Sequence, residues 1–260
     1  MCFSATASFV AGSALVVLGV ATLRATRRKS EIPFAAIPLL FGIQQLVEGL
    51  LWLSFRFDSP QLNVATTYLF SMFSHVLWPI FVPFAIGLLE TVAWRRRVIW
   101  GFQAVGLAVG LYLLYLIVEL PVTSIALANI VYVSPHFYKV PVMLFYLAAT
   151  CFSCFISSID TVRIFGALAL LLFAVAAVFF NLALFSVWCF FSAILSFIIY
   201  VHFRRSAARG KPLAPLTQVK PKAVRPHYSP KRGAGSTGRL SAPRRAIRGS
   251  WTALPIACRS

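Results

Sequence analysis

Residues 33–55 read PFAAIPLLFGIQQLVEGLLWLSF, an apolar run that holds one charged side chain, Glu48. A helix of about 20 mostly apolar residues, rising 1.5 Å per residue, crosses the hydrocarbon core of a bilayer, which is about 30 Å thick. The run therefore predicts a membrane-spanning helix, with its polar residues placed inside the membrane.

Six more runs of this kind lie along the chain. They are Phe3–Leu23, Val64–Glu90, Val98–Glu119, Tyr138–Ser157, Ile164–Leu182 and Leu184–Phe203. The last two nearly touch, which predicts a tight helical hairpin at residues 181–183. Of the 260 residues, 60% are apolar and 12% are charged, about half the usual charged content, which argues against a soluble enzyme. We predict an all-α fold, a polytopic membrane bundle of seven transmembrane helices.

The basic residues orient this bundle. Lys and Arg stay in cytoplasmic loops, and they follow alternate spans, as at Arg28, Arg96, Arg163 and Arg204. The predicted topology has the N-terminus outside and the C-terminus inside, which requires an odd number of crossings.

The end of the chain differs in composition from the rest. Residues 204–260 hold 14 of the 24 Lys and Arg and none of the 6 Asp and Glu, although the whole chain has a net charge of +18. We predict two parts, a transmembrane domain over residues 1–206 and a disordered polybasic tail over residues 207–260. Anionic lipid headgroups are the expected partner of the tail. Specific nucleic-acid binding is not expected, because no aromatic residues alternate with the basic ones, and a tail without a role remains an alternative.

Polar side chains share one face of the second span. At about 100° per residue, Gln44, Gln45, Glu48 and Trp52 fall in one arc, and large aliphatic residues fill the opposite arc. Ionisable residues within a span usually face the interior of a bundle. Gln44, Gln45 and Glu48 are therefore expected to point inward.

The third span carries a matching stripe that includes Ser71, His75 and Trp78. Consecutive helices joined by a short loop are normally neighbours, and the two stripes overlap in depth. We expect a contact between Glu48 and His75, direct or through Gln44 or Ser71. Such a pair handles a proton, a cation or a polar ligand group, or it only locks two helices together.

Three other features bear on the architecture. The connection Leu120–Ser134 is apolar and partly alternating, and it is expected to form an ordered cap at the outer interface. Gly106 and Gly110 have the spacing of a close helix contact. Pro79 and Pro83 each remove a backbone donor, which predicts a kink just beyond His75.

The opening MCFSATASF (residues 1–9), the block PFAAIPLLFGIQQLVEGLLW (residues 33–52) and HVLWP (residues 75–79) resemble an uncharacterised family of prokaryotic multi-span membrane proteins, known only as a domain of unknown function. The resemblance covers residues 1–204. It implies a bacterial inner-membrane location, and it implies no activity.

Three hypotheses on function follow. The first is an intramembrane polar site for a proton, an ion or a small polar ligand, used in transport or sensing. The second is a structural or interaction protein whose polar residues only lock helices. The third, an intramembrane enzyme, has the least support, and we assign no catalytic, cofactor-binding or metal-binding residue.

Overall fold

The computed structural model describes residues 4–127, 129–133, 140–180 and 183–208. These residues are mostly helical. In chain order the elements are α1 (Ala5–Arg24), a short 3-10 turn (Lys29–Glu31), α2 (Ile32–Arg56), α3 (Pro60–Ser71), a first π-helical segment (Met72–Leu77), α4 (Trp78–Leu89), α5 (Ala93–Glu119), strands β1 (Thr123–Ala126) and β2 (Ile130–Val133), α6 (Val140–Leu147), a second π-helical segment (Ala148–Phe152), α7 (Ser153–Ile156), α8 (Asp160–Phe179) and α9 (Leu184–Ala208).

Six helical segments in the described part of the chain are long and apolar enough to cross a membrane. They are Ala5–Arg24, Lys29–Arg56, Pro60–Leu89, Ala93–Glu119, Asp160–Phe179 and Leu184–Ala208. A shorter apolar helix, Val140–Ile156, lies where the fifth span was predicted. The all-α fold and the membrane character are confirmed. Residues 181 and 182 of the predicted hairpin and residues 209–260 of the predicted tail lie outside the described residues.

Helices α1 and α2 form a close pair built on glycine. A Cβ atom added to Gly19 would lie 2.5 Å from the backbone nitrogen of Leu39, and one added to Gly42 would lie 2.8 Å from the backbone nitrogen of Val16. No real Cβ atom approaches backbone so closely. Small residues let helix backbones approach and gain dispersion contacts where apolar lipid provides no hydrophobic driving force. The α1–α2 interface is therefore set by backbone proximity.

Gly106 and Gly110 on α5 serve a similar purpose. A Cβ at Gly106 would overlap the carbonyl oxygen of Pro79, and a Cβ at Gly110 would lie 2.8 Å from the side chain of Ile80. The predicted close approach at this spacing is therefore confirmed, with α4 as the neighbouring helix.

The third span runs through α3, the first π segment and α4 without a gap in helical structure. Pro79 is the second residue of α4, and the π segment lies directly before it. Proline lacks the N–H that continues a backbone ladder, and a π segment alters that ladder locally. The distortion predicted from the prolines thus takes the form of a π segment that contains His75, rather than a break beyond it.

In the connection between α5 and α6, the described residues 120–127 and 129–133 form an ordered structure, as expected, and that structure is a two-stranded hairpin. Strands β1 and β2 pair antiparallel, with Thr123 opposite Val133 and Ala126 opposite Ile130. The hydroxyl of Ser124 lies 2.7 Å from that of Thr67 and donates to Oδ1 of Asn63 at 3.3 Å. These bonds fasten the hairpin to α3.

Helix α9 is fastened to α8 along its length. The indole Nε1 of Trp188 donates to the carbonyl of Ala169 at 2.9 Å. Near the other end of α9, Nδ1 of His202 lies 2.5 Å from the hydroxyl of Thr161. These bonds fix the rotation of α9 and therefore which of its side chains face the bundle.

Candidate functional site

The carboxylate of Glu48 is enclosed within the bundle. Its side chain has no exposed surface, and Oε1 accepts a hydrogen bond from the hydroxyl of Ser186 at 2.5 Å. Oε2 accepts from Nε2 of Gln45 at 3.3 Å. Glu48 therefore joins α2 to the first turn of α9, across a long separation in sequence.

One helical turn away, Gln44 joins α2 to α4. Its Oε1 accepts a hydrogen bond from the indole Nε1 of Trp78 at 2.8 Å. The same indole ring stacks on Phe41, with centroids 3.9 Å apart and planes inclined by 21°. Trp78 is therefore held by a polar contact at its edge and an aromatic contact at its face.

His75 lies in the first π segment and is 1% exposed. Its Nδ1 lies 2.7 Å from the hydroxyl of Ser74 and 3.2 Å from the carbonyl oxygen of Ser71. Its ring packs against Phe185 of α9, with centroids 4.2 Å apart. Adjacent residues of α9 thus contact the two ionisable side chains, Phe185 at His75 and Ser186 at Glu48.

Tyr146 on α6 brings a further helix to the site. Its hydroxyl donates to the carbonyl oxygen of Ser74 at 2.5 Å. In a π ladder that carbonyl would accept from the N–H five residues on, which is Pro79 and has none. The tyrosine hydroxyl replaces the missing donor, so the proline and the π segment together create the contact with α6.

A small aromatic cavity lies beside these groups. It has a volume of about 30 Å³, more than the roughly 10–15 Å³ that one water molecule occupies. Its aromatic lining comes from Phe41, Trp78, Tyr146, Phe165 and Trp188. Thr150, Ser192 and the thiols of Cys151 and Cys189 are the polar residues of the wall.

The hairpin covers an apolar cluster next to the site. Val47, Leu51, Phe70 and Cys189 pack with Ile130 and Tyr132 of β2 in one buried cluster. The rings of Phe70 and Tyr132 stack with centroids 4.5 Å apart and planes inclined by 6°. Since Val47 is adjacent to Glu48 and Cys189 follows Ser186 by one turn, this cluster separates the polar groups from the hairpin side of the bundle.

The predicted site residues are placed as follows. Six of the seven, Gln44, Gln45, Glu48, Ser71, His75 and Trp78, are buried. The structure pairs Gln45 with Glu48, Gln44 with Trp78, and the Ser71 backbone with His75. Trp52 is half-buried and packs on the apolar cluster under the hairpin instead.

Three contributors were absent from the sequence-based prediction, namely Ser186, Cys189 and Tyr146. The first two belong to a stripe of small polar residues on α9 that continues through Ser192 and Ser196 at intervals of three or four. This spacing puts them on one face of the helix and was a usable signal. No sequence pattern indicated Tyr146. Its hydroxyl bonds the carbonyl of Ser74, which lacks a backbone donor because Pro79 lies five residues further along the chain.

No group of three His, Cys, Asp or Glu side chains converges anywhere in the described ranges. The fold and the buried polar groups define an all-α membrane protein whose long apolar helices enclose a polar cluster. The chain belongs to a family of unknown function, DUF6629, whose sequence profile matches residues 1–213. No curated protein and no solved structure shows a detectable similarity to the chain.

Proposed function

We propose that this protein is a multi-pass membrane protein with an intramembrane site, centred on Glu48, that handles a proton, an ion or a small polar ligand in transport or sensing. The observation that carries the proposal is the fully enclosed Glu48 carboxylate, bonded to Ser186 and Gln45. An ionisable group in a span is costly and is a functional candidate by default. Helix contacts alone do not require it, since α1 and α2 pack through glycine.

The alignment of helices supports His75 as the partner of Glu48. The bond between Gln44 and Trp78 fixes how α2 and α4 run past each other. Moving one turn along α2 from Gln44 reaches Glu48, and moving one turn back along the antiparallel helix from Trp78 reaches Ser74 and His75. A carboxylate and an imidazole at one level share or exchange a proton readily.

Infrared spectroscopy of the purified protein tests this proposal. A handling site predicts a protonated-carboxyl band that titrates with pH, shifts in D₂O and is lost in Glu48→Gln. Glu119→Gln, which alters a carboxylate exposed near the end of α5, is the matched control and retains the band. A Glu48 band that neither titrates nor shifts in D₂O would leave only a helix-locking role.

We propose seven crossings with the N-terminus outside and the C-terminus inside. The Arg residues of alternate connections support this orientation, and the shorter apolar helix Val140–Ile156 is the proposed fifth crossing. An introduced cysteine at Arg96 is expected to resist a membrane-impermeant thiol reagent applied from outside, whereas one at Asp58 reacts. The reverse pattern would overturn the topology.

We also propose that the basic residues beyond 208 bind anionic lipid headgroups in a bacterial inner membrane. Their charge supports this, because each basic residue near an anionic surface contributes about 1 kcal/mol. Truncation after Arg209 should leave the helical bundle folded and should reduce binding of the detergent-solubilised protein to anionic vesicles. Binding that does not weaken with salt would contradict an electrostatic role.

A further inference from the structure

Two free thiols border the aromatic cavity from different helices. Cys151 belongs to the second π-helical segment and Cys189 to α9, and both side chains line the space of about 30 Å³. Both thiols also lie near enough to the Tyr146 hydroxyl to act on it electrostatically. The fold thus brings two sulfur atoms from distant parts of the sequence to one small space.

The open space beside the sulfur atoms distinguishes these two thiols from a packing cysteine. A cysteine that only packs behaves as a small apolar group and fills space, whereas Cys151 and Cys189 border space that the protein leaves unfilled. Cys154 is also fully buried, one turn from Cys151, and it does not line the cavity. Cys154 is therefore a matched reference for the other two.

A buried N–H donor lies next to one of the two sulfur atoms. Gln44 is fully buried, and its Oε1 accepts a hydrogen bond from the indole of Trp78. Its Nε2 has no hydrogen-bond partner among the described residues, and the Gln44 side chain lies close enough to the Cys189 thiol to interact with it. A donor beside sulfur stabilises the thiolate, which is the form that binds metals. Gln44 is therefore placed to stabilise a negatively charged sulfur at Cys189.

The ligand set selects the kind of metal. Thiolates prefer soft ions such as Cu(I). Structural zinc sites take four ligands and iron–sulfur clusters are held by four cysteines, whereas the described residues bring together no three His, Cys, Asp or Glu side chains that could hold a metal ion. No carboxylate or imidazole lines the cavity, which disfavours hard cations. Two thiols alone suit a soft monovalent ion that accepts two ligands.

We infer that Cys151 and Cys189 bind one soft monovalent metal ion of the Cu(I) class in the aromatic cavity. Each thiol loses its proton as its metal–sulfur bond forms, so two protons leave and no electron is transferred. The resulting complex has a single negative charge, and Nε2 of Gln44 donates to the Cys189 sulfur. The inference goes beyond the proposed function, because it uses neither the charge nor the protonation of Glu48.

Copper titration of the full-length protein tests the inference. A background variant, Cys2→Ser with Cys258→Ser, removes the two thiols that lie outside the described residues and retains the three buried ones. The reduced protein in detergent is titrated anaerobically with Cu(I) against a chromogenic Cu(I) chelator. We expect one tightly bound Cu(I) per chain, with two sulfur ligands by X-ray absorption spectroscopy. No tightly bound copper, or copper with fewer than two sulfur ligands, would overturn the inference without any further substitution.

Single substitutions in this background assign the ligands. Cys151→Ser and Cys189→Ser each remove a metal–sulfur bond, so each should weaken Cu(I) binding by more than the roughly 10- to 100-fold that the loss of an outer contact costs. Cys154→Ser is the matched control and should bind Cu(I) as the background does. Equal losses at all three positions would show a general loss of structure or nonspecific thiol binding, and would refute the assignment.

Two further variants separate the thiol pair from the Glu48 site. Gln44→Glu keeps an acceptor for Trp78 but removes the N–H donor, and it should weaken Cu(I) binding by about tenfold. Glu48→Gln should bind Cu(I) at least as tightly as the background, because Glu48 lies near Cys189 and repels a negatively charged complex there. Weaker binding in Glu48→Gln would make Glu48 a ligand and refute the two-thiol assignment. Copper binding and the Glu48 infrared band can therefore fail separately.

Discussion

Helix α2 packs against α1 on one side and against α3, α4 and α9 on the other, and the two sides use different chemistry. Toward α1, glycines bring the backbones together, with Gly19 against Leu39 and Gly42 against Val16. Toward α4 and α9, Gln44 and Glu48 make buried hydrogen bonds. Dry backbone contact is sufficient to join two helices in this protein, so the polar side includes chemistry that assembly alone does not require.

The largest effect is expected at the glycine interface. Gly19→Leu should destabilise the protein by about 3 kcal/mol or more, because the new side chain meets backbone that cannot move aside. Thermal unfolding in detergent measures it. Gly101→Ala, where an added Cβ has nothing within 4 Å, is the control and should be nearly neutral. Equal losses of stability at both positions would mean that the close backbone contact between α1 and α2 does not determine the cost of the Gly19 substitution.

A smaller and non-additive effect is expected on the polar side. Glu48→Leu and His75→Leu should each cost about 1–3 kcal/mol, because each strands a buried polar group. The double variant should be the least damaging of the three, since it removes both desolvation costs. Thermal stabilities of the four proteins give the coupling energy. Additive losses would show that the two residues are independent.

The bond that aligns α2 with α4 can be tested alone. Trp78→Phe keeps an aromatic ring against Phe41 but removes the donor to Gln44, and it should cost about 1 kcal/mol. Trp100→Phe changes an indole that is 38% exposed and should change the unfolding midpoint little. If the two variants lose the same stability, the Gln44 contact contributes nothing measurable.

The smallest effect is expected where the hairpin meets α3. Ser124→Ala removes hydroxyl contacts to Thr67 and Asn63 that are only partly buried, so the loss should be about 0.5 kcal/mol. Hydrogen exchange of the hairpin amides should rise more than the unfolding midpoint falls. A loss as large as that of Glu48→Leu would show that the hairpin is part of the bundle core.

The sequence was informative where the signal was local. Long apolar runs predicted the helices, and the arc shared by Gln44, Gln45 and Glu48 predicted their burial. The polar arc on α2 grouped Trp52 with the site residues. It does not show that the end of α2 near Trp52 is covered by the apolar side of a hairpin instead of a polar helix. The stripe on α9 that contains Ser186 indicated an inward face, but it did not indicate that Glu48, which is 138 residues away in sequence, is the partner of Ser186.

The first π segment sets the angular phase of everything that follows it in the third span. A π turn holds one more residue than an α turn, so an even α-helix through residues 72–77 would rotate Trp78 by about 100° relative to Ser71. Deleting a single residue there would restore regular α winding and keep Trp78 facing Gln44, whereas regular winding with every residue kept would turn Trp78 away from Gln44 and Pro79 away from Gly106. The extra residue of the π turn therefore determines which face of the third span carries Trp78 and Pro79. The site depends on this local helix geometry as much as on the side chains themselves.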